Sequence, residues 1–161
     1  PIEFAEDGST APTGAEIYVN GNKKVRIRKF SGISNNYVTF DWSAPYDMDT
    51  TKAIQFRVKG IISDETEPSS EGVAFVMSGY GIADDGASNG TFGTEVTITK
   101  TGMSHAEGDV WMTNWSGDVT VTGIGANTMN QIKLYRNIAH ASDTYGQYIG
   151  VTEIEIRYTR K

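Results

Sequence analysis

The chain has 161 residues, a length typical of one domain and sufficient to bury roughly two thirds of its unfolded surface without metals or crosslinks. It contains no cysteine, which excludes disulfides, cysteine–zinc sites and thiol nucleophiles. Its 20 acidic and 14 basic residues give a net charge of -6, which opposes binding to nucleic-acid phosphates or anionic lipid.

The first fourteen residues, PIEFAEDGSTAPTG, are mostly polar and predict an extended N-terminal arm, followed by a single domain over 15–161. Ile2 and Phe4 stand two positions apart, so both would face one side of an extended arm. The arm lacks the basic and then apolar pattern of a signal peptide, and we expect synthesis in a cytoplasm and no membrane partner. The proline at position 1 is typical of a chain that has lost its initiator methionine, which indicates an entire gene product.

After the arm, apolar and polar residues alternate with the period of two that is typical of β-strands. A first hairpin is predicted around the turn-like NGN at 20–22. AIQFRVKGII at 53–62 shows the clearest alternation, and GVAFVMSGYGIA at 72–83 is apolar on both faces, as a central strand would be. Further strands are predicted at 37–42, 94–100, 118–123, 130–138 and 150–159.

About nine strands with glycine-rich turns predict an all-β protein, a jelly-roll-like β-sandwich of two antiparallel sheets. Ser104 and Glu107 have the spacing of a helix capping box, so one short helix is predicted near 104–112. The residues expected to face a common core between the sheets are Ile54, Phe56, Val58, Val73, Phe75, Ile154 and Ile156.

Two acidic residues stand out in the last predicted strand. Glu153 and Glu155 point to the same side of it, as the paired carboxylates of glycoside hydrolases do. The pair resembles the acidic strand motif of jelly-roll glucanases, but Arg157 stands where the third acid of that motif would be. We therefore interpret the pair as part of a solvated outer face and predict that the protein is not an enzyme.

Three other groups could carry chemistry. The loop ADDGASNG at 83–90 offers oxygen ligands for calcium from Asp84, Asp85, Ser88 and Asn89, without the spacing of an EF-hand. Two histidines could form proton-transfer pairs, namely His105 with Asp109 and His140 with Asp143, yet no nucleophile elbow accompanies them. We expect no metal, no cofactor and no catalytic residue.

Aromatic side chains suggest an alternative function. Exposed aromatic faces on a β-sandwich can stack on sugars, although aromatic residues in a sandwich also fill the core. A non-enzymatic glycan-binding module, such as a fibre or receptor-binding tip, is therefore the alternative to the function described below. The candidate sugar-stacking residues are Trp42, Trp111, Trp115, Tyr80 and Tyr145.

The run KKVRIRK at 23–29 contains the only basic cluster of this acidic chain. On a strand, Lys24, Arg26 and Arg28 form a row, which we expect on the outward face. Such a row can discourage pairing between sheet edges, or it can dock on an acidic neighbour.

Together with the arm and the sandwich pattern, several short stretches of the sequence suggest a resemblance to a known protein family. These stretches are VRIRKF, VTFDWSAP, EGVAFVMSGYGI, NGTFGT and IEIRYTRK. The chain resembles the small jelly-roll virion proteins of tailed bacteriophages, of the head decoration or cement type. The resemblance implies a virion protein on the capsid surface that stabilises the capsid by bridging neighbouring capsid subunits. Its partners would be the major capsid protein and other copies of itself, as a homotrimer. The residues expected to contact the capsid or a partner are Ile2, Phe4, Lys24, Arg26 and Arg28.

Overall fold

The computed structural model describes residues 12–19, 23–64, 66, 68–86, 90–125 and 127–161. Within them lie nine β-strands and no helix, which confirms the all-β prediction. The strands are β1 (Thr13–Val19), β2 (Lys23–Phe30), β3 (Tyr37–Trp42), β4 (Gln55–Ile62), β5 (Ser69–Ile82), β6 (Val96–Ser104), β7 (Val110–Met112), β8 (Met129–Arg136) and β9 (Ile149–Arg157).

Strands β2 to β9 form two antiparallel sheets of four strands each, in the orders β2-β9-β4-β7 and β3-β8-β5-β6. Consecutive strands alternate between the two sheets except at the β5–β6 hairpin. This double Greek-key order is the jelly roll. β1 extends the first sheet by pairing with β2, as the predicted hairpin requires.

The hydrophobic core lies between the two sheets. Phe75 of β5 is at its centre, edge-on to Phe30 at 5.5 Å and stacked on Trp111 at 5.8 Å between ring centroids. Of the predicted core residues, six are buried in this cluster, and Ile156 packs against it half-buried. The predicted register of the strands that supply them is therefore confirmed.

β5 is buried on both faces, as its continuous apolar run predicts. Val73 and Phe75 point into the core, while Ala74, Val76 and Ser78 on the opposite face are also buried. The strand lies between β6 and β8 in the sheet, so both of its edges are paired.

The helix predicted near 104–112 is wrong, because that stretch is a turn followed by β7. The backbone N–H of Asp109 donates to the carbonyl of Ala106 at 3.0 Å, and the Asp109 carboxylate accepts from the N–H of Ala106. Gly108 adopts a φ of 85°, which is outside helical backbone and favours glycine. The chain reverses there so that Trp111 can enter the core from β7.

The strand predicted at 118–123 is also wrong. Val119 makes an isolated bridge to Ile54, next to β4 of the first sheet, whereas Thr122 bridges to Tyr80 in β5 of the second. A segment that passes from one sheet to the other cannot pair continuously with either, so its period-two pattern does not produce a ladder.

The boundary of the predicted arm falls inside β1, which begins at Thr13. Residues 1–11 lie outside the described residues, and the arm itself therefore stays a prediction.

The two central phenylalanines provide a test of this core. Replacing Phe56 or Phe75 by alanine should lower the free energy of unfolding by about 3–5 kcal/mol, because each ring is fully buried. Urea denaturation measures the change. Tyr46→Ala, at a side chain that is 87% exposed, is the matched control and should change stability little. A small effect at both phenylalanines would contradict the described packing.

Candidate functional site

Glu153 and Glu155 lie on the outer face of the first sheet, on the same side of β9, as predicted. Cross-strand pairing places Glu153 opposite Lys59 and Glu155 opposite Arg57. Glu155 forms ion pairs with both Arg57 and Lys59, and the Lys59 ammonium lies 3.4 Å from Glu153. The two acids are therefore members of a charge-paired outer face.

This pairing has a direct effect on ionisation. Hydrogen bonds from Arg57, and then from Lys59, lower the pKa of Glu155 below its ordinary value of 4.5. The same contact with Glu155 raises the pKa of Lys59 above 10.5. A glycosidase acid needs a raised pKa so that it can donate a proton, and Glu155 is shifted in the opposite direction.

Farther along the same face, a chain of hydrogen bonds joins three polar side chains. Arg157 donates from Nε to Oε1 of Gln55 at 2.6 Å, and Gln55 donates from Nε2 to Oδ1 of Asp118 at 2.9 Å. The indole of Trp115 lies against two guanidinium groups, with Arg57 at 4.8 Å and Arg157 at 4.5 Å from its ring centroid. Gln55, Asp118 and Arg157 border an open cleft of about 250 Å³, and Trp115 is next to it through its contact with Arg157.

The side chains of the two candidate histidine–aspartate pairs do not bond to each other. His105 accepts the backbone N–H of Ser104 at Nδ1, while Asp109 accepts that of Ala106. His140 accepts the N–H of Ser142 at Nδ1. Each histidine thus stabilises a turn, and each aspartate is bound elsewhere.

The loop at 83–90 is described only in part. Asp84 and Asp85 are exposed, and Ser88 and Asn89 lie outside the described residues. Among the residues that are described, no three His, Asp or Glu side chains come close enough to hold a metal ion.

The predicted aromatic platform does not exist as one surface. Trp111 and Tyr145 are buried in the core, and Trp42 packs partly buried against it. Tyr80 is also buried, and its hydroxyl hydrogen-bonds Gln131 at 2.7 Å. Trp115 is half-buried and contacts Arg157, which lines the cleft.

The outer face of the second sheet has a different chemistry. The Lys133 ammonium lies 5.0 Å from the ring centroid of Tyr135, 5.6 Å from that of Phe92 and 5.9 Å from that of Tyr37. Glu95 accepts a hydrogen bond from the Tyr135 hydroxyl at 2.8 Å. Burial, then this bond, raises the pKa of Tyr135 to about 12. The cluster holds the segment before β6 against the sheet.

A buried arginine, which the sequence analysis missed, organises one end of the sandwich. Arg136, at the end of β8, is fully buried and makes a bidentate pair with Asp143, with N···O distances of 2.9 and 2.8 Å. It also donates to the carbonyls of Tyr145 and Gln147. One side chain therefore fixes the whole loop between β8 and β9.

The same loop is bonded to β5 and to the neighbouring loops. Asp143 accepts the backbone N–H of Ala74, and Thr144 accepts that of Gly72. The hydroxyl of Tyr145 donates to the carbonyl of Thr66 at 2.6 Å. A period-two pattern places Arg136 on the core face of β8, and this is the one signal that could have identified it.

Two apolar side chains are exposed at this end. Ile33, in the loop after β2, is 81% exposed, and Tyr148, just before β9, is 43% exposed. Their loops are in direct contact, since a Cβ at Gly32 would lie 2.3 Å from the carbonyl carbon of Gly146. We call this region, with Ile33 and Tyr148, the apolar loop end.

The basic row is placed differently from the prediction. Arg28 pairs with Val151, whose side chain is in the core, so Arg26 and Arg28 lie on the core-facing side of β2 and not on its outward face. Arg26 is exposed because β2 shares only Arg28–Phe30 with β9. Ile2 and Phe4, and the side chain of Lys24, lie outside what the structure describes.

Comparison with protein-family models found no match, and no curated protein matches the chain. Within the described part of the chain, no helix is long and apolar enough to cross a membrane.

The buried arginine pair gives a first prediction for this region. Arg136→Met or Asp143→Ala alone should destabilise the protein by about 3–5 kcal/mol, because each leaves a buried charge unpaired. The double variant should stay less stable than the wild type, because the carbonyls of Tyr145 and Gln147 would still lack their donor.

Urea denaturation monitored by fluorescence measures these changes. Arg160→Met is the control, since its pair with Asp47 is exposed and should contribute about 0–1 kcal/mol. A double variant as stable as the wild type would show that the carbonyl contacts contribute nothing.

A second prediction concerns pH. The pKa of Glu155 is lower in the folded chain than in the unfolded chain, so its stabilising effect is present above pH 4.5 and is lost as the pH falls through the folded value. Glu155→Gln should therefore lower the Tm near neutral pH, and the difference from wild type should shrink at about pH 3. Asp84→Asn, at an exposed loop carboxylate, is the control. A difference that is independent of pH would contradict the ion-pair explanation.

Proposed function

We propose that the protein is a virion structural protein that decorates the surface of a phage capsid and bridges neighbouring capsid subunits. Two observations support this class of function. The fold is a jelly roll, an architecture common among viral capsid and lectin domains. The second is the resemblance inferred above from the quoted sequence phrases, which points to the head decoration type.

The observation that carries the proposal is the apolar loop end. Ile33 and Tyr148 are exposed on loops that Arg136 and Asp143 hold rigid from inside. A protein that clamps other subunits benefits from such a surface, because its contact groups lose little further freedom on binding. The major capsid protein, or a neighbouring copy of this chain, is the partner that we assign to this surface.

The loop between β2 and β3 reinforces the rigidity of that surface. Asn36 accepts the backbone N–H of Ser31 at 2.7 Å, and Asn35 accepts that of Ile138 from the β8–β9 loop at 3.3 Å. The hydroxyl of Ser31 accepts the N–H of Ile33 itself. The position of Ile33 is therefore set before any partner arrives.

A binding experiment tests the proposal. Ile33→Asp and Tyr148→Asp should each weaken attachment to heads stripped of this protein by roughly ten- to a hundredfold, since burying one such side chain contributes about 1.5–3 kcal/mol. Co-sedimentation with the heads measures the attachment, and the Tm of the isolated variants should stay close to that of the wild type.

Tyr46→Asp is the matched control for this experiment. Tyr46 is 87% exposed but lies in the loop between β3 and β4, at the opposite end of the sandwich. The proposed surface would be wrong if Ile33→Asp and Tyr148→Asp both attached to the heads as well as the wild type does. It would also be wrong if Tyr46→Asp lost as much attachment as they do.

A further inference from the structure

The cleft on the outer face of the first sheet has the features of a ligand site. It lies where the segment after β7 runs beside β4. Val119 and Ile54 exchange backbone hydrogen bonds there, and the N–H of Ser116 donates to the carbonyl of Phe56. The lining combines a carboxylate, a guanidinium, an amide and the backbone of the chain near its end. The residues are Ala53, Gln55, Asp118, Arg157, Tyr158 and Thr159.

Its polar groups are held in place before any ligand arrives. Gln55 lies between Arg157 and Asp118 and is bonded to both, so its amide orientation is determined by an acceptor on one side and a donor on the other. This chain uses the Nε of Arg157 and one oxygen of Asp118. No other described residue binds the two terminal nitrogens of the guanidinium or the second carboxylate oxygen, and we assign these atoms to a ligand as donors and acceptor.

Trp115 adds a flat apolar wall beside these groups. Arg57 is on β4 and Arg157 on the adjacent β9, and both guanidinium groups contact the indole. Two cation–π contacts thus hold the ring in place. The side chain is half-buried, and we place the ligand against the part of the ring that stays accessible.

The charges of the cleft define the class of ligand. Asp118 and the net charge of -6 oppose an anion, and Arg157 opposes a cation. A neutral ligand with hydroxyl groups can accept from the guanidinium, donate to the carboxylate and lay its C–H face on the indole. We propose that the cleft binds a neutral sugar residue of a glycan, with Trp115 as stacking surface and Asp118 and Arg157 as hydrogen-bonding groups.

A glycan array tests this site. The labelled full chain is applied to neutral gluco-, galacto-, manno- and N-acetylglucosamine oligosaccharides, printed beside sialylated and sulfated glycans. At least one neutral glycan should be bound, and Trp115→Ala should weaken that binding by about tenfold or more. Trp115→Phe should retain part of it, because a smaller aromatic face remains.

Asp118→Asn guards against a folding defect, since Asp118 is exposed and its replacement keeps the side-chain shape. Asp118→Asn should also weaken glycan binding while its Tm stays unchanged. Tyr46→Ala, at an exposed aromatic outside the cleft, should leave glycan binding unchanged. Binding to no neutral glycan, binding to acidic glycans only, or full binding by Trp115→Ala would each overturn the proposal. Attachment to heads uses the other surface, so the two proposals fail independently.

Discussion

The interaction on which the rest of the structure depends is the buried pair of Arg136 and Asp143. Desolvating two charges costs several kcal/mol, and only a saturated set of hydrogen bonds offsets that cost. Here the guanidinium is bound by a carboxylate and by the carbonyls of Tyr145 and Gln147, while the carboxylate also accepts from Ala74. The pair therefore joins β8, β5 and the loop before β9 at one point.

That point bears on the binding surface proposed above, at an irregular end of the jelly roll. Loops are usually the least ordered part of a sandwich. In this chain the loop between β8 and β9 is bonded from inside, and the loop after β2 rests on it through Gly32. Ile33 and Tyr148 are consequently presented on a rigid support, which is what the proposed bridging function requires.

The outer faces of the two sheets differ in their chemistry. On the first sheet, Arg57, Lys59 and Glu155 neutralise one another near the middle of β4 and β9. Toward the end of β9, Arg157 has no acidic partner among the described residues and contacts an aromatic ring. On the second sheet the aromatic rings of Phe92 and Tyr135 contact the Lys133 ammonium.

The sequence by itself determined which residues of a strand share a face, because alternation is a local property of extended chain. Phe56 in the core and Glu155 on the outer face were predictable for that reason. Tertiary structure alone decided the burial of Arg136, the turn at Gly108 and the side of β2 that Arg28 occupies. Each of these features depends on the pairing between strands that are far apart in the sequence. The segment 118–123 shows the same limit, because its residues alternate as in a strand but do not form a continuous ladder.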